Sequence, residues 1–346
     1  MKKLILLILC FSLYFTGKAT VSGDVKSTLT ADITTPGTLY VLASIYLTSV
    51  TNLTITGTID ARDFVTMRDA MPQLTVLDMS GATIAPYTGT EGTSGTGTIT
   101  YPANTLPDNS FYFKSTNSCK SSITSLVLPS TLTTIGAFAI SCDYLTAITI
   151  PSKVTSIGKA AFLGSSSLTS ITIPSSVTFV GDQAFIYCYG LASLTISSSV
   201  TSFSIYSFYF CNALKTIYCL DATPPTLANG SFLGVTSVTD VFVPTSSAVI
   251  TYKGNASWYG YFPGTIIKTS ITTGVNESIS NTVNVYTTQQ GIVIDGTQAG
   301  EKVTLYNLQG VQLQSVRSQG ARLMLESINR GIYIVKTSSK TVKVIL

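Results

Sequence analysis

The sequence predicts a mainly β protein: a solenoid of about four regular rungs with degenerate rungs on either side, followed by a small C-terminal β-sandwich. Three observations carry that expectation. One strand-like phrase recurs at Leu126, Ile148, Ile171 and Leu194, in steps of 22, 23 and 23 residues, and a period of this size marks units that stack on their neighbours. The composition, 45% hydrophobic with only 10% charged residues, fits a packed β-rich chain with few long helices and argues against disorder. Beyond residue 288 the period stops and short alternating strands take over.

In chain order, Met1-Lys2-Lys3, the apolar run Leu4 to Phe15 and the small residues near Ala19 read as a signal peptide over residues 1–19. Cys10 lies inside the apolar run after Leu9, which does not suit lipoprotein processing. Without Lys2, Lys3 and Lys18 the net charge falls from +4 to +1, so no basic stripe for nucleic acid remains. No further long apolar segment follows, so no transmembrane span is expected in the mature chain. Residues 20–118 read as an N-terminal cap with degenerate repeats. Within them Asp60 to Met71 is the best helix candidate, with Phe64, Met67 and Met71 on one face and Pro72 ending it. Ala85 to Thr100, rich in Gly and Thr without a period, reads as a surface loop.

Residues 119–268 hold the regular units. Leu145, Ile148 and Ile150 face inward while Ala147 and Thr149 face out, because side chains alternate across a strand, and Pro151 ends the strand. Gly136, Gly158, Gly181 and Ser204 share a column, read as a bend with unusual dihedrals. Phe138, Phe162, Phe185 and Phe208 are assigned to another. One unit buries too little to offset its own backbone entropy, so the units must stack. Cys142, Cys188 and Cys211, with Ser165 in the same column, read as buried free thiols; a bridge between Cys188 and Cys211 is the alternative. Cys219 falls among the core isoleucines. No His and no C-x-x-C pair is present, which argues against zinc.

The phrases Ile157-Gly158-Lys159-Ala160-Ala161-Phe162 and Val180-Gly181-Asp182-Gln183-Ala184-Phe185 resemble the BspA-type leucine-rich repeat family of secreted bacterial proteins. The likeness extends back to Asn52–Ile59 and Leu74–Ser80, and forward to Val241–Pro244 and Trp258–Phe262. It departs at Ser197 and Ser204, which stand for the expected Pro and Gly. The resemblance implies a leucine-rich repeat solenoid and adhesin-like binding to host matrix proteins or other bacteria.

Residues 269–287 read as a linker and 288–346 as the sandwich. Gly300-Glu301-Lys302-Val303, Leu305-Tyr306-Asn307 with Gly310, and Gly331 to Lys336 including Tyr333 resemble the C-terminal sorting domain of type IX secretion cargo. That resemblance implies passage through the periplasm and across the outer membrane by the type IX machinery, cleavage near the linker, and a cell-surface or extracellular product.

Catalysis is not expected: with no His the usual group titrating near neutrality is missing, and the 12 acidic residues between the signal peptide and the linker form no recognisable pair or metal motif. No cofactor is expected. Binding is the natural alternative, to a protein or a glycan, with a structural envelope role as a further one. Two surfaces compete. The outward strand positions Thr149, Thr172, Thr195 and Tyr218, with Ser125, Val127, Ala147, Ser170, Ser193 and Thr216, would make a hydroxyl-rich sheet face. Tyr187, Tyr189, Tyr206, Tyr209 and Phe210 would form an aromatic group where each unit turns.

Overall fold

The computed structural model describes residues 27–95, 97–263, 265–269, 284–288, 291–295, 300–307, 311–319, 322–326, 331–337 and 341–345. The expected signal peptide, most of the expected linker and Gly310 therefore lie outside the described residues. The chain divides into two units, Met1–Val241 with Gly254–Ile266, and Phe242–Lys253 with Ile267–Leu346.

The first unit begins with four parallel strands, Thr28–Ile33, Asn52–Ile59, Val76–Ile84 and Ser125–Val127, hydrogen-bonded in that order. Thr28, Asn52, Val76 and Ser125 share one register, so the stacking starts well before the regular units. A second line of short parallel strands runs Thr105–Leu106, Thr134–Ile135, Ser156–Ile157 and Phe179–Val180, and Ser202–Phe203 pairs with Thr226–Leu227. A third includes Ser170–Ile173, Ser193–Ile196 and Thr216–Cys219. The expected strand at Thr146–Ile150 buries Ile148 and Ile150 but has no strand pairing. Its rung is one residue shorter, with four residues between Ile140 and Leu145 against five between Phe162 and Leu168, and the ladder is incomplete there.

Threonine supplies part of the stacking. The hydroxyls of Thr51, Thr75 and Thr124 donate to the carbonyls of Ser27, Thr51 and Thr75 one rung back, at 3.0, 3.0 and 3.3 Å. Thr133, Thr155 and Thr178 repeat the device on the other side of the rungs. Each such bond adds an internal partner without interrupting the ladder.

Two assigned columns need correction. Gly136, Gly158 and Gly181 do not have positive φ; they are small because the rungs nearly touch there. A Cβ on Gly158 would meet Ala137 N at 2.8 Å, and one on Gly181 would meet Gly158 C at 2.8 Å. The left-handed residues come two positions later: Asn109, Phe138, Ala160, Gln183, Tyr206 and Gly230, with φ between 50° and 73°. There the N–H turns toward the next rung, as in Phe138 to Lys159 O and Ala160 to Asp182 O. Phe138 thus belongs to the turning column, and Ile140 takes the buried place beside Phe162.

Phe162, Phe185, Phe208 and Phe232 stack face to face down the core, with centroids 4.8, 5.0 and 4.9 Å apart and planes within 10°. That spacing is the separation of neighbouring strands, so each rung adds one ring. The stack ends on Trp258 and Phe262, near the helix Ala256–Tyr261, and the Trp258 indole donates to Pro225 O at 2.9 Å.

The N-terminal helix forms as Ala61–Val65 continuing into a π-helical turn, Thr66–Ala70, and Phe64, Met67 and Met71 are fully buried. Asp60 and Asp63 make a capping box. Asp63 also accepts the N–H groups of Gly37 and Leu39, while burial pushes its carboxyl pKa up. At the other end the buried Lys120 ammonium donates to Arg68 O and Met71 O at 3.1 and 2.9 Å. The segment expected as a loop contains a hairpin, Tyr87–Gly89 with Ile99–Tyr101. Its tyrosines stack, and Arg62 lies 4.8 Å over the Tyr87 ring: cross-strand pairing makes order where the sequence shows no period.

In the second unit Asn284–Thr288, Gly291–Asp295 and Arg322–Glu326 form one antiparallel sheet, and Gln312–Arg317, Lys302–Asn307, Ile332–Lys336 and Thr341–Ile345 another. Val285, Ile292, Ile294, Val303, Leu305, Leu325, Val335 and Val344 from the two sheets make one buried cluster.

Candidate functional site

On the sheet face Thr172, Thr195 and Tyr218 stand side by side in register. Thr149 is exposed and Thr172 and Tyr218 are half-buried, but Thr195 is only 2% exposed. The outward hydroxyl face is thus broken at Thr195, which sits between its threonine neighbour and the larger tyrosine. Other threonines, among them Thr51, Thr75, Thr124, Thr133, Thr155 and Thr178, use their hydroxyls to bridge successive rungs.

The aromatic group does assemble. Tyr189, Tyr187 and Phe210 follow one another at centroid distances of 5.8 and 6.2 Å with planes within 30°. Tyr209 stands edge-on to Phe210 and to Tyr206 at 4.3 and 5.2 Å. Tyr189 is 48% and Phe210 37% exposed, with Ile205 and Leu233 also exposed; Tyr187, Tyr206 and Tyr209 are half-buried. Among the described residues the four phenol oxygens have no hydrogen-bond partner.

These rings sit on an unusual backbone. Gly164, Tyr187, Phe210 and Gly234 occupy one position in successive rungs, with φ of 66°, 61°, 57° and 81°. A left-handed residue with a Cβ costs about 1–2 kcal/mol, so two rungs hold bulky rings where their neighbours use glycine. The glycines also make room. A Cβ on Gly230 would meet the Tyr206 ring at 2.3 Å, and one on Gly234 the Phe210 ring at 2.9 Å. Composition carries no sign of this relation, which lies in the column that Gly164, Tyr187, Phe210 and Gly234 share.

The cysteine column lies beneath. Cys142, Cys188 and Cys211 are buried free thiols, as is Cys219. Ser165, Cys188 and Cys211 donate to the carbonyls of Ile140, Phe162 and Phe185 one rung back, and burial raises the thiol pKa values of Cys142 and Cys188. The Cys119 thiol is pushed up to about 12, by burial first and then by Asp143. Raised pKa values suit packing and oppose nucleophilic chemistry. Among the described residues no group of three potential metal ligands converges, and no helix is long and apolar enough to cross a membrane.

In the second unit the motif residues sit at turns and strand pairings. Gly300 has φ +83°, its N–H donates to Ser318 O, and Glu301 O accepts from Ser318 N. Asn307 pairs with Tyr333, Tyr306 with Ile334, and Thr304 with Lys336. The Asn307 side chain accepts from Val311 N at 2.8 Å. Gly331 precedes the strand Ile332–Lys336.

The family model for the BspA type leucine rich repeat region matches residues 137–257, in six copies. No curated protein matches the chain. Seven chains of solved structures match, three of which follow. The pneumococcal vaccine antigen PcpA is 16% identical over 65% of this chain and 58% of that one, TM-score 0.36. A leucine-rich repeat protein from Bacteroides ovatus is 14% identical over 58% and 63%, TM-score 0.26. A leucine rich cell surface protein from Faecalibacterium prausnitzii is 15% identical over 72% and 85%, TM-score 0.22. The chain spans under two thirds of the length of the first two.

Proposed function

We propose that this is a non-catalytic, adhesin-like surface protein whose leucine-rich repeat solenoid binds a macromolecular partner through the aromatic group at Tyr187, Tyr189, Tyr206, Tyr209 and Phe210. The observation that carries the reading is this group itself: partly exposed rings with free phenol tips, gathered on two adjacent rungs. Tyrosine combines contact area with a polar tip and loses little conformational freedom on binding. The sheet face at Thr149, Thr172 and Tyr218 is a secondary surface.

Residues 1–19 start export as a signal peptide in this reading. The C-terminal module, a β-sandwich over 288–346 joined by the linker 269–287, completes export as a type IX sorting domain, with Gly300, Glu301, Tyr306, Asn307, Gly310, Gly331, Tyr333 and Lys336 as its motif. The test is made in the native bacterium. Surface protease shaving and the mass of the mature form should give an exposed product without residues beyond about 280, and deletion should reduce attachment of whole cells. An intact periplasmic product would contradict the export route, and unchanged attachment would contradict the binding role.

A further inference from the structure

We propose that the ring row Tyr189, Tyr187, Phe210, flanked by Tyr206 and Tyr209, is a platform for the pyranose rings of a neutral glycan. This deepens the binding role proposed above and rests on it. Four observations lead there.

The rings are kept against backbone preference. Phe210 and Tyr187 are left-handed at the position where the rungs on either side carry Gly164 and Gly234. Backbone strain of this kind gathers at functional sites, where surrounding structure holds it in place. The core does not require these rings, because Phe185 and Phe208 already fill it and are fully buried.

The platform is preorganised. Tyr206 and Phe210 lean over Gly230 and Gly234, where any Cβ would collide with them. Tyr187 is held between Tyr189, Tyr209 and Phe210. Rings already fixed lose little freedom when a ligand arrives.

The platform is neutral and rimmed with hydroxyl. Its rings belong to tyrosine and phenylalanine, Leu233 is exposed in the column of Tyr209, and Ile205 is exposed beside Tyr206 in a column where the neighbouring rungs carry Asp182 and Asn229. Electrostatic complementarity therefore favours an uncharged ligand. The phenol oxygens, each able to donate and accept, have no internal partner among the described residues. A sugar ring has an apolar C–H face and a hydroxyl rim, so it meets the ring faces and the phenol edge together.

The row is also open at both ends, at Tyr189 and Phe210. Two cavities of the first unit, one between Val235 and Thr265 and one between Leu227 and Tyr261, have none of the five rings in their lining. A protein hot spot would anchor a side chain in a desolvated pocket, whereas successive sugar units lie along an exposed row.

The test titrates the full chain by calorimetry with cellohexaose, maltohexaose, mannohexaose and chitohexaose, with hexagalacturonate as the charged control. At least one neutral hexasaccharide is expected to bind and the acidic one not. Each variant takes a residue that a flanking rung carries: Tyr189→Ser follows Ser166, Tyr209→Leu follows Leu233, and Tyr187→Gly with Phe210→Gly follows Gly164 and Gly234. The first two should weaken binding at least about tenfold, a change of about 1.4 kcal/mol, and the double variant should abolish it. Tyr189 and Tyr209 do not have positive φ, so those variants stay informative if the glycine pair disturbs the turn. Binding by none of the neutral sugars tighter than about 1 mM, or binding that survives all ring variants, would overturn the proposal. If the ring variants still abolish whole-cell attachment without any sugar binding, the glycan assignment fails while the binding role stands with a protein partner. If attachment is also unchanged, both fail.

Discussion

The two ends of the rung stack are both built of parallel strands but close their corners by opposite means. Near residues 60–120 buried charged groups tie down the backbone around the apolar Phe64, Met67 and Met71: Asp63 accepts three backbone N–H groups, and Lys120 donates to the last carbonyls of the helical turn. From residue 162 onward the corner is filled by one phenylalanine per rung. The difference teaches where each region is vulnerable. A ring stack is sensitive to volume and indifferent to pH, whereas a buried ammonium is sensitive to both protonation and the loss of a partner.

The largest effect is expected from Phe185→Ala, which removes the ring in contact with both Phe162 and Phe208. It should cost about 3–5 kcal/mol by urea unfolding monitored on the first unit. A loss below about 1 kcal/mol would mean that the stack is not what holds these rungs.

Lys120→Met keeps the bulk but leaves the carbonyls of Arg68 and Met71 without this donor, and should cost about 1–3 kcal/mol. Its pH signature is sharper. Burial is the main reason that Lys120 titrates at about 8 in the fold rather than at its ordinary 10.5; Cys142 and Asp69 pull it up and Arg68 down. Between those values the unfolded chain holds a proton that the folded chain has released, so stability contributed by this group rises with pH from about 8 to 10.5. The buried thiols act in the opposite sense. Cys119, Cys142 and Cys188 have folded pKa values above their ordinary 9.0, so their contribution is complete below pH 9 and is lost above it. The parent should therefore gain stability between pH 8 and 9, and Lys120→Met should not. Equal slopes in parent and variant would contradict the assignment.

Much of this stack was legible in the sequence, because a 23-residue step with alternating Ile and Leu leaves few other ways to bury both faces. Phe64, Met67 and Met71 were placed correctly because helical spacing is a local property. The expectation for Phe138 fails because it follows the ring and not the spacing: counted from Gly136, as Phe162 is from Gly158, the fourth residue on is Ile140, and Phe138 falls level with Ala160. The glycines at 136, 158 and 181 were given a dihedral role when close approach of backbones explains them: sequence shows that a side chain is missing, not which atom excludes it. Thr195 was read as exposed because alternation fixes the side of the sheet a residue is on, not how far its neighbours cover it. The hairpin at Tyr87–Tyr101 was invisible because its order comes from cross-strand tyrosine stacking and from Arg62, which is distant in sequence. Of the candidate site, the aromatic group was readable as composition, and its left-handed backbone was not.

The central claim is that the rings at positions 187 and 210 are retained for binding rather than for folding. It is tested most directly by measuring thermal unfolding and whole-cell attachment together for Tyr187→Gly with Phe210→Gly. Relief of left-handed strain offsets the added freedom of glycine in the unfolded chain, so the account predicts a Tm within about 4 °C of the parent and attachment lost. A Tm lowered by more than about 8 °C with attachment retained would show that the rings are structural, and would contradict it.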